Sequence, residues 1–450
     1  MQKSSLNQHW KLSHHLGSLM ESISGGTDCP EEVNLPHDAM LAMKRSPDSP
    51  SGANTGYFEG ENITIPAAEK DKVHYLYFDG VYTNPSFVIN GAFVKKFHHG
   101  YVPCCMRIDK YIRYDEPNVL KVSIRGTALP NSRWYSGQGI YRDAWLLTGD
   151  RLHISQDGLH VTTLDCSEAL AQIEVTADVW NEGPSAREGY AELTVLDGSG
   201  KVVAERKARF YADANGKVLV RQRLTLDKPN LWDVDSPNLY SVKCRLTDRG
   251  TGETVDCEEA AFGIRKLQLD SKYGLRINGR VVKLKGGCVH HDNAFLGAVS
   301  VEDAEVRRVR LHKSMGYNAI RTAHNPPSTA LLNACDRLGL LVMDEFTDIW
   351  TEGKTAYDYS EYFPECFEED VERVVRRDYN HPSIILWSIG NEIPDTHADA
   401  HGQEITRRLV TAVRKWDYRN VAPITIGSNY MPWENARKCA DIVKLAGYNY

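Results

Sequence analysis

The sequence predicts a multidomain β plus α/β fold, in which two all-β units lead into a parallel sheet wrapped by helices. Three observations carry that expectation. Short alternating segments with polar turns run from Gly56 to about Leu147, a second alternating series runs from Arg151 to about Ile264, and after Gly274 short apolar runs alternate with segments of helical period. A chain of 450 residues is also too long for one hydrophobic core, since domains commonly run to about 100–200 residues. The expected units are residues 1–150, 151–264 and 265–450.

In the first unit, Val73–Phe78, Ser86–Ile89 and Leu120–Ile124 alternate as strands do, and Asn90-Gly91 between two such runs signals a tight hairpin. Many short strands with polar turns predict a sandwich of the jelly-roll kind. The second unit repeats the pattern at Ile173–Ala177 and Ala191–Val195, with turn clusters at Asp197–Gly200 and Asp213–Gly216. Its length suits an immunoglobulin-like sandwich.

In the third unit a helix is expected from Ser300, with Asp303 as capping partner, to Gly316. Another opens at Ser328 and stops at Gly339, with Leu331, Leu332, Cys335 and Leu338 on one face. Two more are expected from about Pro364 to Tyr379 and around Ile405 to Trp416. Between them, 282–285, 318–321, 340–343, 384–389, 423–426 and 442–445 read as buried parallel strands. Six strands are two short of the eight that close a β/α (TIM) barrel, so the expectation is a barrel left incomplete at its C-terminal end.

The net charge of −7 is small for this length, and Lys and Arg are dispersed, which argues against nucleic acid as a partner. No stretch has the length and apolarity of a membrane span, and Met1 to Gly17 lacks the apolar run of a signal peptide. The expectation is therefore no membrane association and a cytoplasmic location. The ten cysteines show no CxxC pair, so reduced thiols are expected; a bridge from Cys166 to Cys244 or Cys257 would require export.

Working groups in β/α barrels sit at the C-terminal ends of strands. There this sequence places His290, His291 and Asp292, then Thr322, His324 and Asn325, then Asp344 and Glu345, then Asn391 and Glu392, and finally Asn449 and Tyr450. Carboxylates, amides, imidazoles and an aromatic at one rim suit the hydroxyls and apolar face of a sugar. Glu392 follows the run Ile384–Gly390, and a carboxyl among apolar neighbours there is suited to proton donation. An isolated Asn-Glu pair would more plainly cap a helix or bind an Arg; the strand-end position favours chemistry. His291 and His324 each have a plain reading as core histidines, but two at adjacent strand ends favour a site. Asp344 and Glu345, with no His at close helical spacing, read as structural, and no metal is expected.

At these residues the sequence resembles glycoside hydrolase family 2. The motifs are Leu35-Pro36-His37-Asp38, Phe78-Asp79-Gly80-Val81, Ser132-Arg133-Trp134-Tyr135, Gly139-Ile140-Tyr141-Arg142-Asp143, Pro237-Asn238-Leu239-Tyr240 and Phe262-Gly263-Ile264-Arg265. In the third unit they are Lys285-Gly286-Gly287, His291-Asp292, Arg321–Pro326, Asp344-Glu345 and Trp387–Glu392. The resemblance implies a sugar-binding jelly roll, an immunoglobulin-like domain and a catalytic (β/α)8 barrel. It implies hydrolysis by a retaining double displacement, with Glu392 as acid/base and Asn391 on the sugar 2-hydroxyl. Asp143, His291 and His324 match positions that contact the glycone in relatives; Asn449 and Tyr450 match more weakly.

The family's nucleophile, a second Glu at the end of strand seven, is expected beyond residue 450. Some galactosidase relatives bind magnesium through a Glu and a His after the Asp-Glu pair; Phe346-Thr347-Asp348-Ile349-Trp350 stands here instead, and no cofactor is expected. The resemblance points to a small-molecule or oligosaccharide β-glycoside as partner and to a homo-oligomer. The expected activity is an exo-β-glycosidase, β-galactosidase ahead of β-glucuronidase. The reading from a different class is a non-catalytic carbohydrate-binding protein.

Overall fold

The computed structural model describes residues 1–15, 30–42, 55–60, 63–126, 130–398, 400–432 and 438–450. Cys29 lies outside them. The N-terminal strands form two facing antiparallel sheets. One has the order Gln2–Ser5, Ala144–Gly149, Val73–Phe78, Cys104–Arg107; the other runs Glu31–Val33, Trp10–His15, Thr55–Gly60, Leu120–Arg125, Ser86–Ile89, Ala92–Lys96. Trp10, Phe58, Leu76, Phe78, Phe87 and Val122 fill the space between them. The hairpin expected at Asn90-Gly91 joins the last two strands, with φ of 50° and 81°, the left-handed pair that a two-residue turn requires.

The second sandwich packs the sheet Leu152–Cys166, Leu170–Asn181, Gly216–Asp227 against Val202–Ala212, Arg187–Leu196, Tyr240–Asp248, Thr254–Phe262. Its strands are longer than their sequence signals suggested, and Gly189 to Val195 alternates strictly between buried and half-buried positions. Cys166, Cys244 and Cys257 carry free thiols, so none of them is bridged to another.

Beyond Phe262 a small antiparallel ribbon, Leu267–Asp270, Gly274–Ile277 and Arg280–Val281, precedes a six-stranded parallel sheet in sequential order. Its strands are Gly286–Val289, Ala319–Thr322, Leu341–Glu345, Ile384–Asn391, Ile424–Ser428 and Ala446–Tyr448. The count of six agrees with the sequence reading, but the two outer strands are shifted. Residues 282–285 are not in the sheet, because the preceding ribbon uses Arg280 and Val281 and pairing with Ala319 begins at Gly286. Residues 439–443 form a short helix, so the last strand starts at Ala446 rather than at Ile442. Ile384–Asn391 is buried at every position, as a central parallel strand should be.

The helices Glu302–Ser314, Thr329–Leu338, Phe363–Asp378 and His401–Trp416 cover the outer face of this sheet. Leu332, Val342, Phe367, Val375, Trp387 and Leu409 pack between the layers. Ser328 caps its helix by accepting from the Leu331 N–H at 3.2 Å, and Gly339 ends it at φ 71°. The cap expected from Ser300 and Asp303 does not form. Val301 occupies the N-cap, and the Ser300 hydroxyl is drawn inward to Glu305 and Ser328, at 2.9 and 2.7 Å. No helix among the described residues is long and apolar enough to cross a membrane.

Candidate active site

Parallel pairing aligns the C-terminal ends of the central strands, with Arg321 opposite Met343, Glu345 opposite Ser388 and Asn391 opposite Gly427. Their polar side chains converge. Glu345, fully buried, is the hub. It accepts from Arg321 Nε and Nη2 at 2.9 and 3.0 Å, from Ser388 Oγ at 2.8 Å and from His324 Nδ1 at 2.7 Å. Burial works against the charge, but the bonds from His324 and Arg321 outweigh it and hold this carboxyl below the usual carboxylate range.

Arg321 Nη2 also donates to Asn391 Oδ1, which accepts as well from Asn449 Nδ2 at 2.7 Å. The same Asn449 amide donates to Glu392 Oε1 at 2.9 Å. Gly427 makes this proximity possible: a Cβ there would lie 3.2 Å from Asn391 Oδ1. Glu392 is half-buried, and its backbone is left-handed, with φ 49° and its N–H donating to Gly427 O at 2.7 Å. A non-glycine residue held so costs on the order of 1–3 kcal/mol, and such strain concentrates at functional sites. His324, Asn391, Glu392 and Asn449 thus form one connected group.

The other three candidates stand apart from it. His291 turns inward, donating from Nε2 to the Ser136 carbonyl at 2.8 Å, with its ring against Tyr101 at 4.8 Å and Tyr141 at 5.9 Å. Burial pushes its pKa down to about 3, so it is a neutral packing group. The imidazole that faces the cluster is His290, 5.5 Å from His324 and 5.4 Å from Trp134. Asp143 precedes the strand Ala144–Gly149, and its carboxylate accepts from Asn7 Nδ2 at 2.8 Å; among the described contacts none joins it to the cluster. Tyr450 is fully exposed, and the described contacts do not tie it to Glu392.

The first sandwich reaches the cluster through a different segment. Trp134 lies 5.5 Å from His324, and Arg133 Nη2 donates to Asp348 Oδ2 at 2.5 Å. Lys354 Nζ reaches the same Asp348 oxygen at 3.3 Å and the Asn391 carbonyl at 2.6 Å. Arg133, Trp134, Asp348 and Lys354 line an open cavity whose walls include Tyr82, Tyr101 and Tyr357. Arg133 and Trp134 belong to a motif quoted for the resemblance, but their roles at the site were not legible without the packing of sandwich on barrel. Among the described residues no group of three or more His, Cys, Asp or Glu is arranged to hold a metal.

The chain matches two family models, "Glycosyl hydrolases family 2, TIM barrel domain" over residues 270–444 and "Glycosyl hydrolases family 2" over residues 152–265. It is 34% identical to the β-galactosidase BoGH2A of Bacteroides ovatus, across 100% of this chain and 56% of that protein. A glycosyl hydrolase family 2 member from Bacteroides cellulosilyticus superposes with a TM-score of 0.92 at 34% identity, covering 100% of this chain and 59% of that one. A Bacteroides uniformis β-glucuronidase superposes at 0.85 and 26% identity, covering 100% and 55%. The chain therefore spans a little over half the length of these three relatives. By the two family models, which between them cover most of its second and third units, this chain belongs to glycoside hydrolase family 2.

Proposed function

We propose that the natural protein carrying this chain is a retaining exo-β-glycosidase in which Glu392 is the general acid/base. The observation that supports this most is Glu392 itself. It is a half-buried carboxyl at the end of a fully buried central strand, in a strained left-handed conformation, with only Oε1 engaged by the described residues. A leaving glycosidic oxygen needs a proton, and the same group can later take one from the attacking water. Asn391, gripped by Arg321 and Asn449, is positioned to bond the sugar 2-hydroxyl. Retention also requires a second carboxylate roughly 5–5.5 Å from the first. Glu345 does not supply it, because its oxygens are already taken by Arg321, His324 and Ser388. Double displacement of this kind needs no cofactor. A β-galactoside is the favoured substrate, on the strength of the relative named above, with a β-glucuronide second.

The test is hydrolysis of aryl β-galactosides and β-glucuronides by the natural protein and its Glu392→Gln variant. The variant should lose roughly 10²–10⁴-fold with a poor leaving group and far less with a dinitrophenyl one, which needs no protonation. A variant equal to wild type would overturn the assignment of Glu392. Sugar binding without cleavage by wild type would favour a carbohydrate-binding protein.

A further inference from the structure

Lys354 touches both the end of the strand that leads into Glu392 and the wall of the adjoining cavity. Its ammonium has three N–H groups. One goes to the Asn391 carbonyl at 2.6 Å and one to Asp348 Oδ2 at 3.3 Å, while the side chain, only 9% exposed, lines the cavity between the barrel and the first sandwich. The backbone holds it there: the Lys354 and Thr355 N–H groups both donate to Asp358 Oδ2 at 2.7 Å, and Asp358 is itself buried. Arg133 donates to the same Asp348 oxygen.

We propose that Lys354 is a specificity-determining residue, donating its remaining N–H to one hydroxyl of the bound sugar, with Asp348 beside it to accept that hydroxyl's or a neighbouring hydroxyl's proton. The proposal rests on the glycosidase reading above. A neutral hydroxyl suits this wall because it can accept from Lys354 and donate to Asp348 together. Burial pulls the Lys354 ammonium below its ordinary range, with Asp348 and Glu392 opposing that pull and Arg133 adding to it. Such a desolvated donor loses most when its acceptor is missing. Tyr82, Tyr101 and Trp134 on the cavity walls offer aromatic surface to the apolar face of the same ring.

The experiment measures kcat/KM of the natural protein, of Lys354→Met and of the double variant Asp348→Asn/Lys354→Met, on an aryl β-galactoside, its monodeoxy analogues and an aryl β-glucuronide. The double variant removes both charges together and, set beside Lys354→Met, separates loss of the ammonium from the effect of leaving Asp348 with Arg133 as its remaining ion-pair partner. The expected result is a loss of roughly 10–100-fold on the parent sugar in both variants, and no difference from wild type on one deoxy analogue. Equal losses on every analogue would make Lys354 a structural residue and overturn the proposal. So would a loss confined to β-glucuronides, which would mean that the group reads a carboxylate. Failure of the underlying glycosidase reading looks different: wild type itself would leave the parent galactoside and glucuronide uncleaved.

Discussion

Asp344 and Glu345 are neighbours on the strand Leu341–Glu345 and both are withdrawn from solvent, yet the two faces of that strand treat a carboxyl in opposite ways. Successive side chains of a strand point to opposite faces. Glu345 points to the mouth of the sheet, where Arg321, His324 and Ser388 satisfy it and keep it ionised. Asp344 points to the layer under the helix Phe363–Asp378, beside a small cavity lined by Val371, Val374 and Val375. Neither of its oxygens has a hydrogen-bond partner there. Burial, and then repulsion from Asp378, push its carboxyl well above the usual range. Burial alone does not decide protonation; the partners do.

Of the two carboxyls, the paired one is the more costly to remove. Glu345→Ala leaves Arg321 without its counter-ion, and removing one partner of a buried pair typically costs about 3–5 kcal/mol. Urea unfolding should show that loss, and a change under about 1 kcal/mol would mean that the network does not anchor the site. Glu345 has its folded pKa lowered, so its stabilisation is present above its unfolded pKa and is lost as pH falls through the folded value.

Asp344 has the opposite sign. With its folded pKa raised, its contribution is complete below the unfolded value and is lost as pH rises toward the folded one, with a slope of at most about 1.4 kcal/mol per pH unit. Asp344→Asn should abolish that decline, so its advantage over wild type should grow from acid to neutral pH in unfolding curves. Parallel curves would show that the carboxyl is not perturbed. The smallest expected effect is Ser388→Ala, which removes one hydroxyl from Glu345 and should cost about 1.5 kcal/mol by urea unfolding, leaving the Arg321 pair in place.

Where structure depends on neighbours in sequence, it was legible. Ser328 and Gly339 mark the ends of their helix because capping and the left-handed exit act within one turn. The hairpin at Asn90-Gly91 was legible for the same reason. The first barrel strand was misplaced by four residues because 282–285 and Gly286–Val289 are both short, and only the ribbon upstream decides which segment pairs with Ala319. Within the candidate site, Asn391, Glu392, His324 and Asn449 were reachable as residues following apolar runs. His290 and His291 were not separable, since a turn at a strand end decides which imidazole faces His324 and which faces Ser136.

The order of the units, two antiparallel β regions and then a parallel α/β sheet, is written in the chain, because hydrophobic period and turn chemistry are local properties. So is the gathering of a carboxyl, amides and imidazoles at one rim, because parallel strands end on the same side. Which of them meet depends on packing between distant segments. Arg133 and Trp134 join the site, and His291 is turned toward Ser136, because the first sandwich packs on the barrel; Lys354 reaches Asn391 from within the barrel, and Asp143 is held by Asn7 within the first sandwich. Such contacts join residues far apart in the chain, and no local pattern encodes the distance between them.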